Sequence, residues 1–349
     1  MTTETRFFPN HYRDSVALMR MSAEIAGLPG IEEASFVMAT EANIALVVEA
    51  GLLDKGPDPR PNDLMGVVIG RGADEIAAAF GAAGEALAST EGAAGGAVDA
   101  VLPRTLDAAL DSAPASNLAL ISCPGEYAGA EAMKALRLGL NVMIFSDNVP
   151  IEDEIALKSF AAGNDLLVMG PDCGTAIIDG VPLGFANRVR RGNIGIIGAS
   201  GTGTQEVTCQ IDRRGGGVSQ AIGTGGRDLD ERIGGVTMLK ALDLLTADPD
   251  TGVIALVSKP PAPAVAARIL DKAAAAGKPV IVNFLGWRGD PSAYPSLAFA
   301  GSLEETAHLA VAAGGGDLPP FEIGPMPPPA PANGHCLRGL FSGGTFCYE

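Results

Sequence analysis

Positive charge is scarce in this sequence of 349 residues, which has 24 lysines and arginines against 41 aspartates and glutamates. The formal net charge is −17, and the isoelectric point lies near 4.6. A surface of this sign repels nucleic acid and anionic membranes. We therefore expect neither a general nucleic-acid binder nor a protein that binds membrane surfaces.

Histidine and cysteine are also few, and long apolar runs are missing. The three histidines are not spaced as ligand pairs, and the five cysteines form no Cys-x-x-Cys motif. These spacings argue against a zinc site and against a disulfide framework. No stretch approaches about 18 uninterrupted apolar residues, and Met1–Ser15 lacks the regions of a signal peptide. The sequence thus predicts a cytoplasmic protein without a metal site.

What the sequence has instead is glycine and proline, 46 and 25 residues, together with 47% hydrophobic residues. This composition is typical of a folded, loop-rich chain. Apolar spacing near the start alternates between strand and helix periods, which predicts a small ferredoxin-like α/β domain over 1–95. The segment 90–98 is of low complexity and reads as a linker. The predicted elements are a strand at 6–12, a helix at Ser15–Ala26, a strand at Ala34–Ala39, a helix at Glu41–Glu49, a strand at Leu64–Ile69 and a helix at Asp74–Ser89.

After the linker, continuous apolar strands alternate with helical stretches, as expected for parallel sheets that are covered on both faces. The pattern predicts doubly wound α/β architecture in two domains, 96–190 and 191–317. The predicted strands are Leu118–Ser122, Asn141–Phe145, Leu166–Met169, Ile194–Ile197, Val218–Ile222, Val253–Ser258 and Pro279–Phe284. The predicted helices lie near 128–138, 151–162, 203–214, 229–246 and 262–276.

Two glycine-rich turns, Gly198–Thr204 and Gly223–Asp228, each stand between a predicted strand and a helix. Glycines there let backbone N–H groups surround an anion, and the positive end of the helix adds attraction. One such turn is equally well a plain helix cap, but two in one sheet predict a shared site for a phosphoryl or carboxylate group. Neither turn is a nucleotide-binding P-loop, because no Gly-Lys-Ser/Thr follows. The predicted anion-binding residues are Ser200, Gly201, Thr202, Gly203, Thr204, Thr224, Gly225, Gly226 and Arg227.

Three further loops follow the strands of the earlier sheet, at 122–127, 146–150 and 169–175. Loops past the carboxyl ends of parallel strands line one crevice. The cysteines there are either nucleophiles or buried structural thiols, and no histidine base lies nearby in the sequence. The acids either position a substrate amide or ammonium or cap the next helix, and Lys259 either reaches the anion site or is solvated. The predicted crevice residues are Cys123, Pro124, Glu126, Tyr127, Asn148, Pro171, Asp172, Cys173, Gly174 and Lys259.

The last part of the sequence begins with a proline-rich stretch, 318–333, which is typical of an extended linker. The segment Gly339–Glu349 then repeats the plan of Gly195–Glu206: an apolar strand, a small-residue turn and the start of a helix. A helix that stops in its first turn cannot bury a face. We therefore expect 318–349 to be a linker and the start of a further domain. The apolar residues around Leu340 and Phe341 fit a surface that such a domain or a partner chain would cover.

Several of these motifs resemble the FdrA family, within the superfamily of ADP-forming acyl-CoA synthetases that includes the α-subunit of succinyl-CoA synthetase. The likeness to the synthetase rests on 169–175, 195–206 and 221–228. The likeness to FdrA runs from about residue 12 to the last residue. It rests on the segments YRDSVALM, ISCPGEYA, FSDNVPIEDEI, GPDCGT, SKPP and FSGGTFC. The resemblance implies a Rossmann-like, CoA-binding-type domain over 96–190 and a flavodoxin-like, succinyl-CoA-synthetase-type domain over 191–317.

Two positions depart from the synthetase pattern. The synthetase carries a phosphorylated histidine in a Gly-His-Ala-Gly segment, whereas the matching stretch here is Ala298–Gly301, with Phe299 at the histidine position. We therefore expect no phosphohistidine relay in this chain, and no catalytic residue is assigned. The synthetase's Gly-Ser-Gln-Gly-Thr turn for CoA is matched here only by the short Ile69–Gly72, which leaves CoA open as a cofactor.

The resemblance implies a subunit of an acyl-phosphate-type transferase. In some similar proteins a carbamoyl group passes between an oxalurate- or oxamate-like amide and phosphate, in purine (allantoin) degradation. Phosphate or carbamoyl phosphate would then rest on Ser200–Thr204 with help from Thr224–Arg227. Two alternatives stay open: a subunit of an ADP-forming acyl-CoA synthetase (a ligase), and a regulatory subunit that binds a small anion. Under each, we expect a hetero-oligomer, or a further domain, to complete the activity.

Overall fold

The structure, a computed structural model, describes residues 2–11, 13, 15–49, 51–53, 63–92, 103–322 and 343–349. It divides into two compact units, Met1–Arg104 and Thr105–Glu349. Within the described residues, no helix combines the length and the apolar character needed to cross a bilayer.

The strands and helices alternate along most of the chain. The strands are β1 (Thr2–Phe8), β2 (Ile31–Met38), β3 (Leu64–Gly70), β4 (Leu118–Ile121), β5 (Asn141–Ile144), β6 (Val168–Met169), β7 (Thr175–Ile178), β8 (Val181–Gly184), β9 (Arg191–Ala199), β10 (Val218–Gly223), β11 (Val253–Ser258), β12 (Val280–Phe284) and β13 (Leu297–Phe299). The helices are α1 (Ser15–Ala26), α2 (Glu41–Glu49), α3 (Ala73–Gly92), α4 (Leu106–Ser112), α5 (Gly125–Arg137), α6 (Ile151–Gly163), α7 (Gly201–Arg213), α8 (Val236–Ala247), α9 (Pro263–Ala274), α10 (Leu303–Ala313) and α11 (Gly344–Tyr348).

The first unit is a three-stranded antiparallel sheet in the order β1-β3-β2. The central strand β3 is apolar and buried on both faces, because α1 and α3 pack on one face and apolar residues of α2 on the other. A Cβ at Gly66 would lie 2.5 Å from the ring of Phe36, so a glycine in mid-strand makes room for that ring. This unit confirms the ferredoxin-like prediction for the first part of the chain.

The second unit contains a seven-stranded sheet in the order β13-β12-β11-β9-β10-β7-β8. Its five parallel strands, β9 to β13, follow the flavodoxin order, in which the first strand lies between the second and the third. α7 and α10 pack on one face, while α8 and α9 pack on the other. The β7–β8 hairpin closes one edge antiparallel to β10. The parallel α/β prediction is therefore confirmed.

A smaller parallel sheet, β4-β5-β6, belongs to the same unit and is covered by α5 and α6. α6 also packs on α8, which joins the small sheet to the large one. The chain passes from β6 to β7 through 170–174. The loops after β5 and β6 are thereby brought to the carboxyl ends of β9 and β10.

Several elements differ from the prediction. β1 spans Thr2–Phe8 rather than 6–12, β2 begins at Ile31 rather than Ala34, and α4, β13 and α10 are not among the predicted elements. The β7–β8 hairpin was not predicted and joins the large sheet, so that sheet takes strands from before residue 190. α8 begins at Val236 rather than near 229, because Gly234 and Gly235 both adopt left-handed conformations that interrupt a helix. α3 runs to Gly92 through the start of the predicted linker. The rest of that linker, the proline-rich stretch from 323 onward, and Leu340 and Phe341 lie outside the described residues.

Candidate functional site

The glycine-rich turns meet at one place, which we call the glycine cleft. It lies past the ends of β9, β10 and β6 and has a cavity volume of about 10 Å³, room for roughly one water molecule. The two turns predicted from the sequence therefore face a common opening. The residues that line the cleft are Asp172, Cys173, Gly174, Thr175, Gly198, Ser200, Gly201, Gly223, Gly225 and Gly226.

Ser200 is the N-cap of α7. Its backbone is extended, and its Oγ accepts a hydrogen bond of 3.0 Å from Gly203 N. The first N–H groups of a helix have no partner within the helix, and they carry the positive end of its dipole. The start of α7 therefore brings unpaired donors to the glycine cleft, as the sequence pattern predicts.

Two hydroxyl groups of this turn, those of Ser200 and Thr204, have hydrogen-bond partners in the protein. Ser200 Oγ lies 2.5 Å from Thr345 Oγ1 in α11, and Thr204 Oγ1 donates to Ser200 O at 2.6 Å. The side chain of Thr202 lies against Gly343, whose Cβ position would be 2.8 Å from Thr202 Oγ1. We predicted these hydroxyls as anion donors. In the structure the Ser200 and Thr204 hydroxyls hold the turn together, so backbone N–H groups take their place as the donors available to a ligand.

The second turn is packed so closely that a side chain at Gly223 or Gly225 would overlap its neighbours. Gly225 has φ +87°, and a Cβ there would lie 2.4 Å from Pro171 O. A Cβ at Gly223 would lie 2.6 Å from Cys173 Sγ. Thr224 N donates to Gly198 O at 2.8 Å, which ties this turn to the first. The loop after β6 and the two glycine turns thus form one packed assembly.

Arg227 points to a carboxylate of the protein rather than into the cleft. Its Nε lies 3.0 Å from Glu154 Oε2, and its Nη2 donates to Val149 O at 2.8 Å. We predicted Arg227 as a bidentate partner for the ligand. Its pairing with Glu154 leaves its charge close to the cleft, where it contributes to the local potential without direct contact.

A buried ion cluster, which sequence reasoning missed, lies beneath the second turn. Lys158 Nζ lies 2.7 Å from Asp228 Oδ1 and 2.9 Å from Glu154 Oε1, and it donates to Thr224 O at 3.1 Å. All three charged side chains are at most 1% exposed. Asp228 also accepts hydrogen bonds from the N–H groups of residues 237 and 238 at the start of α8. The spacing of Glu154 and Lys158, four residues apart on a helix, was the available signal.

Of the predicted crevice residues, Asp172, Cys173 and Gly174 line the glycine cleft, and Pro171 touches it through Gly225. Cys173 is buried, with its Sγ 3.3 Å from Gly223 O. Burial raises the pKa of its thiol to about 12. A thiol of this kind carries no thiolate near neutral pH, so Cys173 is a packing residue.

The other crevice residues lie on neighbouring turns and do not line the cleft. The turn after β4 packs on the turn after β5, since a Cβ at Gly125 would lie 2.2 Å from Asp147 O. Burial raises the pKa of Cys123, as it does for Cys173. Glu126 and Tyr127 stand in the first turn of α5, which Pro124 precedes, and Asn148 has φ +53°. Lys259 follows β11 and acts electrostatically on Asp172.

Asp172 is an exposed residue with φ +57°, and its N–H donates to Ser146 O at 2.9 Å. Desolvation by the surrounding loops and the negative charge of Asp147 raise the pKa of its carboxyl. Lys259 and Arg227 lower that pKa in part. The cleft therefore carries an acid that holds its proton more tightly than an ordinary aspartate.

Phe299, at the position where the resemblance places a phosphorylated histidine, lies at the end of β13. Its ring is stacked on Trp287, with centroids 5.3 Å apart and planes 7° from parallel. Among the residues that the structure describes, no group of three or more His, Cys, Asp or Glu side chains is arranged to hold a metal ion.

Comparison with known proteins gives this site a family context. The uncharacterized protein YahF of Escherichia coli (strain K12) is 47% identical over an alignment of 357 positions, gaps included, which covers 98% of this chain and 67% of YahF. The chain belongs to the YahF family. Residues 189–286 match a CoA binding domain, and residues 1–101 match a domain described as AllF, heavy metal-associated domain. Residues 1–101 contain no cysteine, so the thiolate ligands that soft metals prefer are not there.

The YahF-family chain is also similar to subunits of CoA ligases. It is 28% identical over 150 residues to the α-subunit of ADP-forming succinate–CoA ligase of Aquifex aeolicus. It is 26% identical over 151 residues to the ADP-forming sulfoacetate-CoA ligase subunit SauD of Bilophila wadsworthia. Each match covers 41% of this chain, and the chain spans about half the length of these relatives: 48% and 50%.

Among solved structures, the acetyl-coenzyme A synthetase 1 of Ca. Korarchaeum cryptofilum, in complex with phosphate and ADP, aligns with a TM-score of 0.47 and 21% identity. That alignment covers 57% of this chain and 48% of the synthetase. The homology to ADP-forming CoA ligase α-subunits rests on the sequence matches. At the level of the family, this homology supports the alternative stated above, a subunit of an ADP-forming acyl-CoA synthetase.

Proposed function

We propose that this chain is a subunit of an enzyme of the ADP-forming acyl-CoA ligase type. The phosphate of an acyl phosphate would bind at the mouth of its glycine cleft, because the enclosed volume of about 10 Å³ admits only a water-sized group. One observation carries the proposal: the turns Ser200–Gly203 and Gly223–Gly226 line the same cleft at the start of a helix. The match of 189–286 to a CoA binding domain and the ligase relatives support it.

The chemistry follows from the donors that face the cleft. When a nucleophile attacks an acyl phosphate, negative charge develops on the carbonyl oxygen and on the leaving phosphate. N–H groups fixed at the start of α7 stabilise that charge without reorganising, and one such donor is typically worth about 3 kcal/mol. Bound phosphate also orients the acyl group toward its acceptor. CoA, when bound, supplies a thiol as the acceptor. The residues that match a CoA binding domain, 189–286, include both glycine turns.

Titration calorimetry of the full chain with inorganic phosphate tests this proposal. Gly201→Asp places a carboxylate at the first position of α7, and a Cβ there meets no atom within 4 Å. An acid at a helix start is compatible with the fold, but it repels a phosphate. We expect phosphate affinity to fall at least tenfold.

Gly163→Asp is the matched control, since a Cβ at Gly163 also meets nothing within 4 Å and the residue is exposed at the end of α6. This variant adds the same charge away from the cleft and should bind phosphate within about twofold of wild type. Equal affinity in wild type and Gly201→Asp would contradict the proposed phosphate site.

A second candidate is carbamoyl transfer between an oxamate-like amide and phosphate, as in the FdrA-type resemblance. The stacked pair Phe299 and Trp287 favours it, because an aromatic ring fills the position of the synthetase's phosphorylated histidine. Direct transfer between the acyl group and phosphate needs no covalent phosphoenzyme. The two candidates are separated by an assay of the complete assembly: a ligase consumes ATP and CoA, whereas a carbamoyltransferase releases carbamoyl phosphate from the amide without either.

We further propose that the activity needs partner chains or a further domain. The chain spans about half of the ligase subunits that it matches and 67% of YahF. Purification of the protein from its own cells, followed by mass spectrometry of what accompanies it, tests this point. Turnover by this 349-residue chain on its own would contradict it.

A further inference from the structure

Asp172 differs from every other residue that lines the glycine cleft, because it carries a carboxylic acid. Its Oδ2 lies 3.8 Å from the position that a Cβ on Gly226 would take, so the acid faces the second glycine turn. Among the described residues, its carboxylate has no hydrogen-bond or ion-pair partner. The residue is exposed, so this carboxylate can reach a ligand that binds in the cleft.

The backbone holds this acid in place. Asp172 N donates to Ser146 O at 2.9 Å, and Cys173 N donates to Ile144 O at 3.0 Å. Asp172 itself has φ +57°, a conformation that residues other than glycine, asparagine and aspartate seldom adopt. Cys173 is anchored on Gly223 O. The backbone that carries the carboxyl is therefore fixed relative to the glycine turns.

The charges that face Asp172 come from four surrounding segments. Asp147, after β5, and Glu154, on α6, repel its negative form, whereas Lys259, after β11, and Arg227, after β10, attract it. Arg227 is already paired with Glu154. Desolvation has the largest effect on the pKa of Asp172, and all these effects together raise that pKa above the ordinary value for aspartate. A carboxylate whose pKa is raised accepts a proton more readily than an ordinary aspartate does.

We propose that Asp172 accepts the proton that the acyl acceptor loses when it attacks the acyl phosphate held in the glycine cleft. This inference rests on the proposed function and adds a residue to it. Other groups near the cleft are unsuited to accept that proton. The thiol of Cys173 holds its own proton, and the Ser200 and Thr204 hydroxyls bond within the protein.

Atoms and electrons balance in this step. The acceptor, a thiol or an N–H group, forms a bond from its sulfur or nitrogen to the carbonyl carbon, and its proton goes to the Asp172 carboxylate. The bond between the carbonyl carbon and the phosphate oxygen breaks, and the phosphate leaves with that electron pair. Asp172 then returns the proton to the leaving phosphate, which restores its carboxylate.

The first test measures proton uptake on binding of sulfate, a dianion that does not titrate near neutral pH. A bound dianion beside Asp172 raises the proton affinity of its carboxyl. Calorimetry of the full chain in two buffers of different ionisation enthalpy should show proton uptake for wild type and for Asp172→Glu, and none for Asp172→Asn. We also expect Asp172→Asn to bind sulfate about tenfold more tightly at pH 8, because it removes a like charge.

The outcomes separate the two proposals. Sulfate binding with the same proton uptake in wild type and Asp172→Asn overturns the role of Asp172 and leaves the anion site standing. Failure of the wild type to bind sulfate and phosphate overturns both.

The second test uses turnover, with acetyl phosphate and CoA as probe substrates for the complete assembly. A base must be ionised to work, so the rate should fall as pH falls through the pKa of Asp172. Asp172→Asn should lower kcat about 100-fold, lower the KM for acetyl phosphate because it removes a like charge, and abolish that fall in rate at low pH, the acidic limb. Asp147→Asn removes a repelling charge, lowers the pKa of Asp172 and should move the limb to lower pH. A limb that persists in Asp172→Asn, or that stays fixed in Asp147→Asn, overturns the inference.

Discussion

Single residues decide how close the loops of the glycine cleft can approach one another. Gly223 and Gly225 are in contact with the loop after β6, and any side chain at either position would overlap it. Cys173 completes this contact from the other side. The cleft is thus formed largely by glycines. Its hydrogen-bond donors are backbone N–H groups, which the identities of the side chains do not reveal.

Gly225→Ala tests this close packing. A Cβ there would lie 2.4 Å from Pro171 O, and φ +87° is strained for alanine. We expect the free energy of unfolding to fall by about 2–3 kcal/mol, measured by urea denaturation. Gly163→Ala, at an open position, is the control and should change it by less than about 1 kcal/mol. Similar stabilities of the two variants would contradict the packing.

The cysteines offer a chemical test at the same scale. Burial raises the pKa of the Cys173 thiol to about 12, so below pH 9 it carries almost no reactive thiolate. Cys347 is exposed. Iodoacetamide at pH 8, followed by peptide mass spectrometry, should label Cys347 and leave Cys173 unmodified in the native protein. Rapid labelling of Cys173 would show that its surroundings are open.

At the scale of elements, helix α6 fixes the second glycine turn through its buried charges. Lys158 connects α6 with the turn by contacts to Asp228 and to Thr224 O. Asp228 in turn binds the first N–H groups of α8. One lysine therefore links two helices and the second glycine turn, in a place where an uncompensated charge would be costly.

Lys158→Met should leave Glu154 and Asp228 buried beside each other without their shared cation. We expect a loss of about 3–5 kcal/mol of unfolding free energy, measured by chemical denaturation. Lys134→Met is the matched control, because Lys134 forms an exposed pair with Glu131 on α5. That variant should lose less than about 1 kcal/mol. Comparable losses would show that the Lys158 cluster is not a buried network.

The helices and strands also show which features of the fold local sequence patterns predict and which they miss. α1 and α2 begin and end where apolar spacing predicts, and β11 matches its predicted range in full. The β7–β8 hairpin was missed because its second strand is exposed and contains Pro182, so it has neither an apolar run nor a clear alternation. The two glycine turns were predicted to share a site. The pairing of Arg227 with Glu154 depends on a contact across 73 positions, which no local pattern encodes.

At the scale of the whole molecule, the chain consists of two units with separate cores. The first unit buries Phe36, Val68 and Phe80 around its own sheet. The cores of the second unit are formed entirely by residues after Arg104. The predicted phosphate site uses only residues of the second unit, so damage to the first core should not reach it directly.

Phe36→Ala tests this division. Phe36 is 2% exposed and packs against Phe80, so its loss should destabilise the first unit by about 3–5 kcal/mol. In a thermal scan, the transition of the first unit should move to lower temperature, while phosphate affinity stays within about twofold of wild type. A parallel loss of phosphate binding would show that the site depends on the first unit.

The central claim is that the two glycine turns hold one anion. Backbone amide NMR of the full chain during titration with inorganic phosphate tests it most directly. We expect the amide signals of Gly201 and Thr202, in the first turn, and of Gly225 and Gly226, in the second, to shift together along one binding curve. Shifts confined to one turn, or two curves with different dissociation constants, would contradict the claim.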